Sequence, residues 1–157
     1  MANAKVGSQA SWGGNYVETI TTTKQLTRGD SGKVFMMDNG TAFDVNLPQL
    51  SSEIAGWNCK MIVQVDGAAD ISVLGYGLPT AGGGAAIENA DNDLVNYREI
   101  GYGASGYEQG EKLQTSDGFT IEATSKIGDS WEIFTDGTTW FVTAILHEVD
   151  HGTSIDS

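Results

Sequence analysis

Cysteine is nearly absent from this chain. Cys59 stands alone, so no internal disulfide can form, and burial rather than cross-linking must hold the fold. Proline is scarce, with two residues in 157, whereas glycine is abundant at 21; that balance allows many turns between uninterrupted strands. Basic residues are few as well. Eight lysines and arginines face 21 acidic residues, a formal net charge of −13, and a field of that sign repels nucleic acid and anionic membranes. No run approaches the ~20 consecutive apolar residues of a membrane span. The opening from Met1 to Tyr16 is polar and glycine-rich and lacks the apolar centre of a secretory signal, so synthesis and retention in a cytoplasm are expected. No amphipathic pattern sustains a helix longer than about two turns.

What the chain does have is alternation punctuated by turn residues. Hydrophobic content of 39% is that of a globular protein, and the length fits one domain. Val17-Glu18-Thr19-Ile20 alternates, Lys33 to Met37 is an apolar run of strand length, and Phe43, Val45 and Leu47 share one face of a strand that Pro48 ends. Further strands are predicted over Cys59 to Val65, Ile71 to Leu74, Phe119 to Thr124, Ser130 to Thr135 and Trp140 to Ile145. Asn39-Gly40 predicts a hairpin, Asp66-Gly67 predicts that the strands on either side of it are neighbours, and Asp136-Gly137 predicts a hairpin with a type I′ turn. Arg28 to Gly32 reads as a turn, Ser51 to Trp57 as a short helical turn, Leu94 to Tyr97 as one strand, and Gly101 to Tyr107 as a loop. About eight strands at regular spacing predict an all-β domain, a β-sandwich of jelly-roll-like form, over residues 17–146. An extended N-terminal arm over 1–16 precedes it and a C-terminal tail over 147–157 follows. Trp12 and Tyr16 are the large aromatics of the arm, and a partner surface is one place for them to bury; the other is the parent domain itself.

Several motifs invite a chemical reading. His147-Glu148-Val149-Asp150-His151 matches H-E-x-x-H, in which two histidines one helical turn apart bind zinc and the glutamate acts as base. The preceding residues read as a strand, however, where side chains four apart lie roughly 13 Å from each other, too far to share an ion at ~2 Å. Gly152 follows at once, and the chain has no third histidine. His147 and His151 therefore stand as metal candidates, and no cofactor is expected. Arg28-Gly29-Asp30 spells an adhesion tripeptide but reads first as a turn before a strand. Asn39-Gly40-Thr41 fits a glycosylation sequon and Asp91-Asn92-Asp93 a fragment of a calcium loop, yet neither has the context it needs. Gly75 to Gly84 lacks the Gly-Lys-Ser/Thr of a phosphate loop. The carboxylates Asp66, Asp70, Asp117, Asp129 and Asp136 sit beside turn residues, which accounts for them.

Two stretches carry a family resemblance. One is Thr22-Thr23-Lys24-Gln25-Leu26-Thr27-Arg28-Gly29-Asp30-Ser31-Gly32-Lys33-Val34-Phe35, followed by Phe43-Asp44-Val45-Asn46-Leu47-Pro48; the other runs from Gly128 to Val142 through Asp136-Gly137. Together they resemble the β-sandwich modules of tailed-bacteriophage virion proteins, over roughly residues 20–146 with an unmatched middle. In such a module Trp131, Phe134, Trp140 and Val142 are expected to pack across the closing hairpin. The resemblance implies a structural role without catalysis. A short chain with no coiled-coil segment fits a capsid decoration (cement) protein better than a tail fibre; such a protein implies the major capsid protein as partner, a homotrimer as assembly and the virion surface as location.

Three function classes follow. The first is the cement protein, with Trp12 and Tyr16 as its anchors on the shell. The second is a tail-fibre, baseplate or carbohydrate-binding module, in which Tyr76, Tyr97, Tyr102 and Tyr107 would stack on sugars. The third is a zinc hydrolase through His147, Glu148 and His151.

Overall fold

The computed structural model describes residues 16–38, 40–75, 95–103, 106–108, 114–116, 118–147 and 153–156. These residues form an all-β protein with no α-helix. The strands are β1 (Val17–Ile20), β2 (Lys24–Gln25), β3 (Val34–Met37), β4 (Phe43–Asn46), β5 (Asn58–Val63), β6 (Ile71–Leu74) and β7 (Val95–Gly103). They continue with β8 (Gly106–Glu108), β9 (Gln114–Ser116), β10 (Gly118–Ile121), β11 (Ser130–Thr135), β12 (Trp140–Leu146) and β13 (Thr153–Asp156). Two short 3-10 turns, Arg28–Asp30 and Ser52–Ile54, interrupt them where the sequence predicted turns.

The strands divide between two sheets. The larger runs β1-β3-β5-β11-β12-β7-β8, with β9 also paired to β7; the smaller runs β13-β10-β6-β4-β2. Successive strands of the first half alternate between sheets, so β1, β3 and β5 are parallel neighbours in one and β2, β4 and β6 are parallel neighbours in the other. β11 is antiparallel to both β5 and β12, and β10 to β6, whereas β12 runs parallel to its other neighbour β7. The inward side chains of both sheets meet in one core: Phe35, Met37, Met61, Val63, Trp131, Ile133 and Trp140 from the larger, and Val45, Ile71, Val73, Phe119 and Ile121 from the smaller. Phe119 stacks on Trp131 across it at 6.4 Å between ring centroids, and Trp57 meets Trp140 edge to face at 5.3 Å. Each such buried side chain contributes about 1.5–3 kcal/mol through the apolar surface removed from water.

The winding overturns two local expectations. β3 and β4, on either side of Asn39-Gly40, form no hairpin, because they lie in different sheets. Residues on either side of Asp66-Gly67 are likewise not neighbours: β5 belongs to the larger sheet and β6 to the smaller. In both places two apolar strand faces gain more by facing each other across the core than by pairing side by side. The hairpin of β11 and β12 does form, with Thr135 opposite Trp140, but its loop is four residues long rather than a two-residue type I′ turn. Asp136 causes this. Its Oδ1 accepts the backbone N–H groups of Thr138 (2.8 Å) and Thr139 (2.9 Å) and the Thr138 hydroxyl, and these bonds hold the Asp136 carboxyl below the usual carboxylate range. Gly101 to Tyr107 is not all loop: β7 continues through Gly103 and pairs with β8. The strand predicted to Thr124 ends at Ile121, where Ser125 closes a turn by donating its N–H and hydroxyl to the Glu122 carbonyl. Within the tail, Thr153–Asp156 adds an edge strand beside β10.

Candidate functional site

Alternation fixes what the larger sheet shows to the outside. In β11, Trp131, Ile133 and Thr135 are buried, so Glu132 and Phe134 point away from the core; in β12, Trp140, Val142, Ala144 and Leu146 are buried, so Phe141, Thr143 and Ile145 point away. The register lines these outward positions up in rows across the strands. Asn58, Phe134 and Phe141 form one row; Val17, Val34, Lys60, Glu132 and Thr143 the next; Thr19, Met36, Ile62, Ser130 and Ile145 a third. Phe134 therefore packs across the closing hairpin on the side of the sheet opposite to Trp131, Trp140 and Val142. Phe134 is 45% exposed and Phe141 38%, and their rings stack on the open face at 5.5 Å.

This face exposes several large apolar side chains together. Val17 and Ile145 are exposed in the neighbouring rows, and Val34, Met36 and Ile62 are half-buried between them. Its one described ion pair, Lys60 to Glu132 at 3.2 Å, neutralises its own charge. A groove of about 370 Å³ runs along it, bounded by Tyr16, Gly32, Val34, Lys60, Phe134 and Phe141. Tyr16 enters from the chain end: its carbonyl accepts the Val34 N–H at 2.8 Å, and its hydroxyl lies 3.7 Å from where a Cβ on Gly32 would stand.

A charged knot anchors the β1 side of the groove. Glu18 pairs with both Lys24 and Lys33, and Lys33 also reaches Asp30 at 2.7 Å. Asp30 Oδ2 accepts the N–H and hydroxyl of Thr27, both at 2.8 Å, closing a capping box around the Arg28–Asp30 turn. Lys24 chiefly, and Lys33 with it, holds the Glu18 carboxyl below its ordinary range. Burial pushes Asp30 up, but the bonds from Lys33 and Thr27 outweigh it and the net direction is down; Lys33 is raised by its bond to Asp30. Because Asp30 is buried and fully engaged, the Arg28-Gly29-Asp30 tripeptide does not offer its carboxylate to a receptor.

The other sequence candidates fall elsewhere. Trp12, Glu148, His151, Asn39, Tyr76 and the Asp91-Asn92-Asp93 stretch lie outside the described residues. His147 is exposed and follows β12 directly, and its backbone N–H is held by Asp129, so a strand rather than a helix leads into it. Among the described residues no three His, Cys, Asp or Glu side chains are grouped to hold a metal ion. Tyr97 and Tyr102 belong to β7 and Tyr107 to β8, with Tyr102 opposite Tyr107 in the ladder. Of the two partner-binding candidates, Tyr16 is thus part of the groove. Phe134 and Phe141 were missed, although the parity of Glu132 and Thr143 on the same strands marks them as outward. No protein-family model, no curated protein and no solved structure matches the chain.

Proposed function

We propose that this chain is a decoration (cement) protein of a bacteriophage capsid, binding the assembled shell through the outer face of the larger sheet and bridging shell subunits. One observation carries the reading: the stacked, solvent-facing pair Phe134–Phe141, set among Val17, Ile145 and the groove. An apolar patch of this kind with aromatic centres is what a protein interface buries. The chain's −13 charge keeps unbound copies apart in solution, while the self-neutralised Lys60–Glu132 pair leaves this face open to contact. The resemblance of the Thr22 to Pro48 and Gly128 to Val142 stretches to virion modules supplies the kind of particle. Stabilisation then follows from mass action, because a ligand that binds only the assembled shell favours that shell. Three copies grouped around a symmetry axis complete the proposal, the two sheets of each forming a β-sandwich. The parallel neighbours in both sheets weigh against the jelly-roll form, whose strands are antiparallel.

The test is co-sedimentation of the purified chain with undecorated capsids, together with their heat stability. Binding with a raised disruption temperature is expected, and Phe134→Ser with Phe141→Ser weakens it by roughly 30-fold or more, as loss of an interface hot spot does. A chain that leaves capsids untouched but is retained by a glycan array belongs instead to the carbohydrate-binding class.

A further inference from the structure

The outer face of the larger sheet is complementary to itself. We infer that two copies of this chain pair reversibly through that face in solution, about a two-fold axis that runs along the strands between β5 and β11. The inference concerns the free chain and holds whether or not the face also meets a shell.

Charge selects the axis. Among the described outward positions of β1, β3, β5, β11 and β12, the only charged side chains are Lys60 and Glu132, which are row partners on adjacent strands. A two-fold axis across the strands through that row would set Lys60 on Lys60 and Glu132 on Glu132, like charge on like. The axis along the strands instead exchanges β5 with β11. Lys60 of each copy then meets Glu132 of the other, and four charges alternate in sign at the centre. The pair sums to zero, so these positions add nothing to the repulsion that the −13 charge sets up between copies.

Shape selects the same axis. Exchanging β5 with β11 and β3 with β12 sets large side chains against small ones. Phe134 of one copy falls over Asn58 of the other, and Phe141 over Gly32. Gly32 continues the register of β3 on β5, its N–H donating to the Asn58 carbonyl at 2.7 Å. It lines the groove beside Tyr16 and has no side chain to fill it, so each phenylalanine pair enters the groove of the other copy. Two rows further along, Met36 meets Ile145, apolar on apolar. The strands of the two copies run in one direction, the aligned arrangement of packed sheets.

Area sets the strength. Five strands ~4.8 Å apart and about six residues of ~3.3 Å give a footprint of roughly 400 Å² per copy. Standard stable complexes bury about 800 Å² per partner. Pairing is therefore weak, forms at high concentration and is lost on dilution, which leaves the face free to change partners.

Sedimentation equilibrium of the full chain tests this at about 0.15 M salt, where charges more than ~8 Å apart are largely screened. The average mass is expected to rise with concentration from one chain to two and to stop there. Lys60→Glu and Glu132→Lys, each alone, place four like charges at the centre and weaken pairing at least about tenfold. Mixing the two variants restores it, because each supplies the sign that the other lacks; placing both substitutions in one chain restores it as well. Recovery in the mixture also shows that both variants are folded. The mass of one chain at every concentration up to about 1 mM, growth beyond two chains, pairing indifferent to the single substitutions, or a mixture that stays apart each overturns the inference. No capsid enters the measurement, so its failure is distinct from a failure of shell binding.

Discussion

Asp129 ties the turn before β11 to the end of β12: its Oδ1 accepts the backbone N–H of His147 at 2.6 Å while its Oδ2 accepts that of Lys126 at 2.8 Å. A side chain only 5% exposed thus closes two chain segments against each other. Removing it in Asp129→Ala leaves two N–H groups without their acceptor and is expected to destabilise the fold by about 1–3 kcal/mol. Asp129→Asn, which retains one acceptor oxygen, loses less. Urea unfolding followed by tryptophan fluorescence measures both, and an alanine variant as stable as the parent contradicts the role.

The charged knot at Glu18, Asp30 and Lys33 gives stability a defined pH dependence. The carboxyls of Glu18 and Asp30 are held below their ordinary range, so the stability they contribute is fully present above that range and lost as pH falls through their lowered values. Lys33 is raised, and its contribution persists until pH climbs past the ordinary lysine range. Unfolding midpoints measured as pH drops below about 4 are therefore expected to decline more steeply in the parent than in Asp30→Asn. Parallel curves for the two proteins contradict this.

Two glycines with the same backbone twist separate conformational cost from steric cost. Gly128 and Gly137 have φ of 98° and 97°, a region that disfavours L side chains. An added Cβ meets nothing within 4 Å at Gly128, whereas at Gly137 it stands 2.7 Å from the Ser51 carbonyl oxygen. Gly128→Ala is expected to cost about 1–2 kcal/mol, and Gly137→Ala a further ~1–3 kcal/mol for the overlap. Equal thermal midpoints for the two variants would falsify the assignment.

Cys59 lies in β5 at 5% exposure, and burial pushes its thiol far above the ordinary cysteine range. Because the thiolate is the reactive form, the native protein is expected to resist a disulfide-exchange reagent at pH 8 and to react with one equivalent after unfolding. Rapid labelling of the folded chain places Cys59 elsewhere than in the wall described.

Periodicity revealed which side of each strand is buried but not which strand lies beside it. Phe43, Val45 and Leu47, and likewise Phe119 and Ile121, are buried as their alternation predicts. Alternation also held the information that Phe134 and Phe141 face outward, yet their apolar character concealed it: an aromatic beside Ile133 or Val142 reads as core unless its parity is followed along the strand. Partner choice was beyond local signals. Asn39-Gly40 and Asp66-Gly67 specify a change of direction, and whether the chain then returns along the same sheet or crosses to the other depends on packing between distant segments. The four-residue loop after β11 turned on the bonds of one Asp136 carboxylate, which no dipeptide rule encodes.

The order β1-β3-β5-β11 has a kinetic consequence. Each N-terminal strand of the larger sheet completes its pairing only against one that emerges later from the ribosome, and β5 finds its second neighbour only when β11 has been made. Along the path from β1 to β12 the hairpin of β11 and β12 closes the shortest loop, while β1, β3 and β5 pair across longer connections, and distant contacts of that kind slow folding. A nascent chain stopped short of Trp131 leaves β5 with one neighbour in place of two, and an unpaired strand edge is a template for association with other chains.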